Sequence, residues 1–257
     1  MRQPQSGVHA LFLWNRFPID AEKAATRAGF CSSRFADKQM ILPRLQFVFG
    51  LWDPGPMTEP FAENLETWKR SLPQFSVKVW NRFECDQLLK SRKELSWVLQ
   101  LRPVQQADVL RLLIIYDQGG WYNDLDTRPV PCAASIWESC SHEDLVVITE
   151  HICDAKATQM TRHYRYREGV PENPVRIANF SFAATARSTF LWACIQLAER
   201  RCKQFPSGSD DYYPIFTTGP DVITTTYHAA KPDSSFLVPA GKWCAHAATG
   251  TWRNGRA

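Results

Sequence analysis

Asp124 and Asp126 stand one residue apart, and shortly before them Asp108 and Arg111 stand three apart. In an extended segment side chains alternate sides, so both carboxylates point one way while Leu125 points into the core. Two oxygen donors converging from one strand end suit a hard cation such as Mn²⁺ or Mg²⁺, which commonly shares its coordination with phosphate oxygens. Asp108 and Arg111 share one face of a helix, and in an apolar helix such charges pair or meet a ligand. Neither feature is specific alone. Asp-Leu-Asp is common in loops, and an Asp/Arg pair at this spacing is ordinarily a salt bridge worth about 0.2–0.5 kcal/mol.

The elements that must position these residues are legible around them. From Val104 to Tyr116 apolar residues are too dense for a one-sided surface helix, which predicts a helix deep in the protein. Pro103 suits its first turn and Gly119-Gly120 its C-terminal stop. The two glycines also let backbone approach a bulky ligand.

Strands and helices alternate on either side of this segment. Ile41 to Gly50 reads as the first core strand, ended by the Asp53-Pro-Gly-Pro56 turn cluster. Trp52 beside that turn either stacks on a planar ligand ring or packs under the loop. Thr58 to Arg70 has helical spacing with Pro60 in its first turn, and Pro73 to Trp80 alternates as a half-buried strand does. Strand, helix, strand makes a right-handed βαβ unit the default. Phe83 to Gln100 reads as helical. Thr127-Arg-Pro-Val-Pro131 is expected to break regular structure, because proline cannot continue a central strand. Leu145 to Thr149 and Val175 to Ala183 read as strands and Thr189 to Cys202 as a helix. Residues 150–176 read as a long loop whose Arg and Tyr side chains either bind phosphate or acceptor or form an exposed polar surface. The Asn179-Phe-Ser181 sequon sits in an apolar strand, where it is inaccessible.

The run Ala107-Asp-Val-Leu-Arg111, Tyr116, Gly119-Gly-Trp-Tyr122 and Asp124-Leu-Asp126 resembles the signature of DXD-containing sugar transferases. That group includes glycosyltransferase family 32, with fungal α-1,6-mannosyltransferases, sphingolipid mannosyltransferases and α-1,4-galactosyltransferases, and it is similar to the catalytic core of large clostridial glucosylating toxins. Further similarity lies in Asn179 on its strand, in the Thr218-Gly-Pro220 turn and in the tail from His246 to Trp252.

The resemblance implies an α/β fold of the GT-A type, Rossmann-like, with a central mostly parallel sheet. It further implies retaining transfer of a hexose from GDP-mannose or a UDP-hexose to a glycan, lipid or protein acceptor, with Mn²⁺ or Mg²⁺ as cofactor. By resemblance Asp126 ligates the metal, Asp124 ligates it or binds the donor ribose or sugar, and His246 is the third ligand. Asp108 and Arg111 hold the donor sugar, Tyr122 lies near the ribose and Trp252 covers the donor. Asn179 either faces the donor or is satisfied by backbone. The Thr-Gly-Pro turn borders the acceptor side, and Asp221 after it caps the following helix.

The chain has 257 residues, enough for one sizeable core, and we expect residues 1–40 to form a partly helical extension and residues 41–257 the transferase domain. A formal charge of +4 without a long Lys/Arg run gives no case for nucleic acid. Eight cysteines form no CxxC pair, which removes zinc-ribbon and thioredoxin-like readings and leaves disulfides or small buried hydrophobes. No stretch approaches the roughly 20 apolar residues of a membrane helix. The patch Val8–Trp14 lacks the flank and cleavage site of a signal peptide. The compartment stays open between the cytoplasm and a Golgi lumen reached without this chain's own anchor. Two other functions use the same residue types: a metal-dependent phosphohydrolase, which needs further strand-end ligands, and a sugar-nucleotide-binding or carbohydrate-binding module without catalysis.

Overall fold

The computed structural model describes residues 40–51, 55–152, 173–206, 208 and 211–247. The chain divides into two units, Met1–Ala36, which lies outside the described residues, and Asp37–Ala257. The sheet, its helices and the site all belong to the second unit.

A six-stranded sheet runs through that unit in the order β2-β1-β3-β6-β5-β7, where β1 is Arg44–Val48, β2 Ser76–Trp80, β3 Gly120–Asn123, β5 Leu145–Ile152, β6 Val175–Ala184 and β7 Ser235–Val238. Three pairings are parallel (β1 with β2, β1 with β3, β5 with β7) and two antiparallel, because β6 runs against both its neighbours. The α/β class with a central mostly parallel sheet is therefore present. The helix α1, Phe61–Ser71, joins the parallel neighbours β1 and β2, as the strand, helix, strand pattern requires.

Side-chain alternation sorts the core into two layers. Tyr122, Val147 and Phe182 join the helices α3 (Pro103–Gln118), α5 (Thr189–Gln204) and α7 (Pro220–Ala230) on one face. Trp121, Val146 and Ala183 join α1 and α4 (Ala133–Cys140) on the other. Every residue of α3 from Gln105 to Ile115 is buried, so the central helix predicted from its apolar density is found, with Pro103 in its first turn and Gly119 as its C-cap. At Gly120 the backbone has φ +98, and a Cβ would lie 2.7 Å from the Arg44 carbonyl oxygen. Only glycine lets the chain leave α3 and enter the sheet against β1.

Two expectations need correction. Phe83 to Gln100 is two elements, α2 (Arg82–Lys90) with an Asn81 capping box and a 3₁₀ helix (Lys93–Gln100). Thr127–Pro129 is not a break but a short strand, β4, paired antiparallel with β8, Cys244–His246. Pro129 is tolerated because it is the terminal residue of a two-stranded sheet.

Cys85, Cys140, Cys194 and Cys244 are buried free thiols, as the small-hydrophobe reading has it, and burial pushes each up to about 12. Cys31 and Cys153 lie outside the described residues. No helix among the described residues is long and apolar enough to cross a membrane.

Candidate active site

The two carboxylates lie where β3 ends. Strand pairing stops at Asn123, and Asp124, Leu125 and Asp126 form a turn in which the Thr127 N–H donates to the Asp124 carbonyl at 3.1 Å. The convergence of Asp124 and Asp126 predicted from strand alternation is thus real, but a turn produces it. Leu125 points into the core as expected, 5% exposed.

Three main-chain groups of the turn are held from different parts of the chain. The Asp124 N–H donates to the Phe180 carbonyl of β6 at 2.8 Å, and the Asn64 side chain of α1 donates to the Leu125 carbonyl at 2.7 Å. The Ala247 N–H donates to the Asp126 carbonyl at 3.0 Å. This last bond continues the β4–β8 ladder, in which Thr127 faces His246. The same ladder delivers the imidazole: His246 Nε2 is 3.3 Å from Asp126 Oδ1, and its ring stacks on Phe180 with centroids 4.0 Å apart.

Ligand atoms of Asp124, Asp126 and His246 all lie within 4.8 Å of one another, the one such group among the described residues. Two carboxylate oxygens and an imidazole nitrogen at that separation fit a divalent cation of intermediate hardness such as Mn²⁺, with the remaining positions open to a ligand's oxygens. Burial works against the His246 imidazolium, but its hydrogen bond with Asp126 and the nearby Asp124 and Glu150 outweigh this, so its proton is held more tightly than usual.

Behind the turn lies a buried charge network. Arg111 is 3.3 Å from Asp108 Oδ1 and 3.2 Å from Asp124 Oδ2, donates to the Asn179 carbonyl at 3.0 Å, and covers the Tyr122 ring at 5.3 Å. Tyr122 donates its hydroxyl to Asp124 Oδ1 at 2.7 Å. Asn179 donates its amide to Asp108 Oδ1 at 2.9 Å, and Thr218 donates its hydroxyl to Asp108 Oδ2 at 2.8 Å. Asn179 is therefore satisfied by a carboxylate rather than by backbone. It is aimed there by an irregularity in β6: Val147 pairs with Phe182 and Thr149 with Ile177, so residues 178–181 stand opposite Ile148 alone. Bulges of this kind re-aim side chains.

Of the residues singled out in the sequence, Asp108, Arg111, Tyr122, Asp124, Asp126, Asn179 and His246 come together. Trp252 and Trp52 lie outside the described residues, as does most of the proposed loop over the site. Asp221 does not cap α7, whose N-cap is Gly219 without a side-chain bond. It is buried against Arg176 and accepts the Tyr212 hydroxyl at 2.8 Å. In the sequon, Ser181 is fully buried while Asn179 itself is partly exposed. The sequence marks Thr218 only through the Thr-Gly-Pro turn expected at the acceptor side, and Phe180, a strand phenylalanine, carries no signal as a site residue.

Residues 58–144 match the family model described as "Glycosyltransferase sugar-binding region containing DXD motif". The Asp124-Leu125-Asp126 turn, an Asp-x-Asp, lies within the matched residues. The matched residues include Asp108 and Arg111 and support sugar transfer as the activity; Asn179, Thr218 and His246 lie beyond them and join the site by geometry alone. No curated protein matches the chain in sequence. Among solved structures, the chain is similar to "PaToxG Glycosyltransferase" (13% identity, TM-score 0.45, covering 75% of this chain and 70% of that one). It is also similar to the ligand-free glycosyltransferase domain from the YGT toxin (11%, 0.46, 77% and 80%) and to the UDP-bound form of that domain (10%, 0.48, 80% and 80%).

Burial pushes the Asp108 carboxyl up to about 6; Arg111, Thr218 and Asn179 oppose the rise and Asp124 adds to it. The folded value lies above the unfolded one of about 3.9, so the folded state binds this proton more tightly. The resulting stability is complete below about pH 4 and is lost as pH rises through about 6. The unfolding free energy of the wild type relative to Asp108→Asn should therefore be most favourable near pH 4 and decline toward pH 7, as read by urea titrations across that range. A difference that grows with pH would contradict the assignment.

Proposed function

We propose that the chain is a GT-A hexosyltransferase that moves a hexose, with retention, from a nucleotide-diphosphate sugar to a glycan, lipid or protein acceptor. The observation that carries this is the meeting of Asp124, Asp126 and His246 at one point, directly in front of the Asp108–Arg111 pair. A cation held by the first three residues supplies charge neutralisation and Lewis acidity for the departing diphosphate.

The chain's own residues do the rest. Arg111, fixed by two carboxylates and a carbonyl, places a rigid positive fork beside the DXD turn. Asp108 presents a carboxylate to the hexose. A carboxylate has about four lone-pair sites; Asn179 and Thr218 donate into two of them and Arg111 pairs with it at 3.3 Å, so acceptor capacity remains for a sugar hydroxyl. Tyr122, bonded to Asp124, fixes that carboxylate's rotamer. Transfer proceeds without a covalent intermediate on the enzyme: the acceptor hydroxyl attacks from the face the diphosphate leaves, through an oxocarbenium-like state, and its proton passes to an oxygen of the departing diphosphate.

The single triad among the described residues favours this over a phosphohydrolase, which would need further ligands for a second metal ion. The retained Asp108–Arg111 pair argues against a binding module without catalysis. A panel of GDP-mannose, UDP-glucose, UDP-galactose and UDP-N-acetylglucosamine, each with Mn²⁺, tests the proposal. Release of nucleoside diphosphate from at least one donor is expected, and its absence from all four would overturn the reading.

A further inference from the structure

The turn after α6, Tyr212–Thr217, is tied to α3 by two adjacent threonines. Thr217 accepts the Gln105 amide at 2.9 Å, and Thr218 donates to Asp108 Oδ2 at 2.8 Å. Gln105 and Asp108 are three residues apart and so lie on one face of α3. The Thr218 hydroxyl also lies 3.2 Å from the Pro214 carbonyl, but the carboxylate is nearer and charged and takes the proton. Both threonines are buried, with Thr217 0% and Thr218 2% exposed. The two bonds differ in what they touch. Thr217 reaches Gln105, the Tyr213 carbonyl and the Cys202 side chain, which belong to the scaffold. Thr218 reaches the carboxylate that faces the ion-binding turn through Arg111.

We infer that Thr218 is a positioning residue for sugar transfer, holding the Asp108 carboxylate in the rotamer that keeps acceptor capacity toward the donor hexose. The inference rests on the reading of Asp108 as a donor-sugar residue. On this inference the Thr-Gly-Pro turn, expected at the acceptor side, acts on the donor side. Without the hydroxyl, Asp108 Oδ2 loses the bond that Thr218 donates. The carboxylate then rotates about its terminal torsion, which is broad for Asp.

The test compares Thr218→Val, Thr218→Ser, Thr217→Val and Asp108→Asn in the full chain, using whichever of the four donors the wild type turns over fastest, with Mn²⁺. Loss of one hydrogen bond to a charged group predicts a fall in kcat/KM of roughly tenfold to a hundredfold for Thr218→Val. The fall should lie mainly in kcat, with recovery in Thr218→Ser. Thr217→Val should lower the melting temperature but keep kcat/KM within about threefold of the wild type. The inference is overturned if Thr218→Val turns over like the wild type while Asp108→Asn is inactive, an outcome that leaves the transferase reading standing. It is also overturned if Thr217→Val is as slow as Thr218→Val, or if serine does not restore the rate. A wild type inactive on all donors would remove the transferase reading and this inference with it.

Discussion

Asp126→Asn should lower nucleotide-sugar turnover roughly a thousandfold while leaving the folded protein as stable as the wild type within about 1 kcal/mol. The substitution is nearly isosteric, and the backbone bond that fixes the turn, from the Ala247 N–H to the Asp126 carbonyl at 3.0 Å, does not involve the side chain. What changes is charge and donor chemistry. Oδ1 of Asp126 lies 3.3 Å from His246 Nε2, so the two form adjacent corners of the ion site. An amide oxygen in that corner is a weaker ligand for a hard cation and no longer offsets its charge. Circular dichroism and a thermal melt establish the fold, and diphosphate release gives the rate. Turnover within tenfold of the wild type would remove Asp126 from the site.

The second large effect falls on stability. Arg111→Met should destabilise the protein by about 3–5 kcal/mol at pH 7, because it leaves buried carboxylates without their countercharge. The Arg111 and Asp108 side chains are 8% and 7% exposed, and Asp124 is 24% exposed. For a chain of this size the loss corresponds to a fall in melting temperature on the order of 10 °C. Arg111→Lys should recover only part of it, since a single ammonium cannot bridge two carboxylates and a carbonyl in the plane of a guanidinium fork. Acid should lessen the defect, because Asp108, pushed up to about 6, and Asp124, also raised by burial, take up protons there. Urea unfolding at pH 5 and pH 7 measures this. A cost below 1 kcal/mol at pH 7, or one that grows at pH 5, would contradict the network.

Much of this arrangement is legible in the sequence because it is local. The density of apolar residues from Val104 to Tyr116 marks a buried helix, and Gly119-Gly120 marks its end. The Asp108–Arg111 pair follows from helical spacing, and the alternation from Pro73 to Trp80 marks β2. What failed depended on contacts far apart in the chain. Strand alternation gave the right direction for Asp124 and Asp126 for the wrong reason, since the chain turns there, with the Thr127 N–H donating to the Asp124 carbonyl.

Pro129 reads as a breaker because nothing near it announces a partner strand at Cys244. The irregularity in β6 that aims Asn179 at Asp108 has no local signature, and the hydroxyl of Thr218 is 110 residues from the carboxylate it serves. Such pairings are set by tertiary packing, which overrides local pattern. His246 is the instructive case: its residue type and local sequence carry no signal beyond the family resemblance, and it is the β4–β8 ladder that sets it beside Asp126.

One cation bound by Asp124, Asp126 and His246 is the centre of the proposed chemistry. Titrating Mn²⁺ into the protein and following the free-ion signal by electron paramagnetic resonance measures it directly, with Asp126→Asn and His246→Ala in parallel. The expected result is one bound Mn²⁺ per chain, with nitrogen coupling from imidazole that disappears in His246→Ala and binding that weakens at least tenfold in Asp126→Asn. No binding by the wild type, or binding unchanged in both variants, would contradict it.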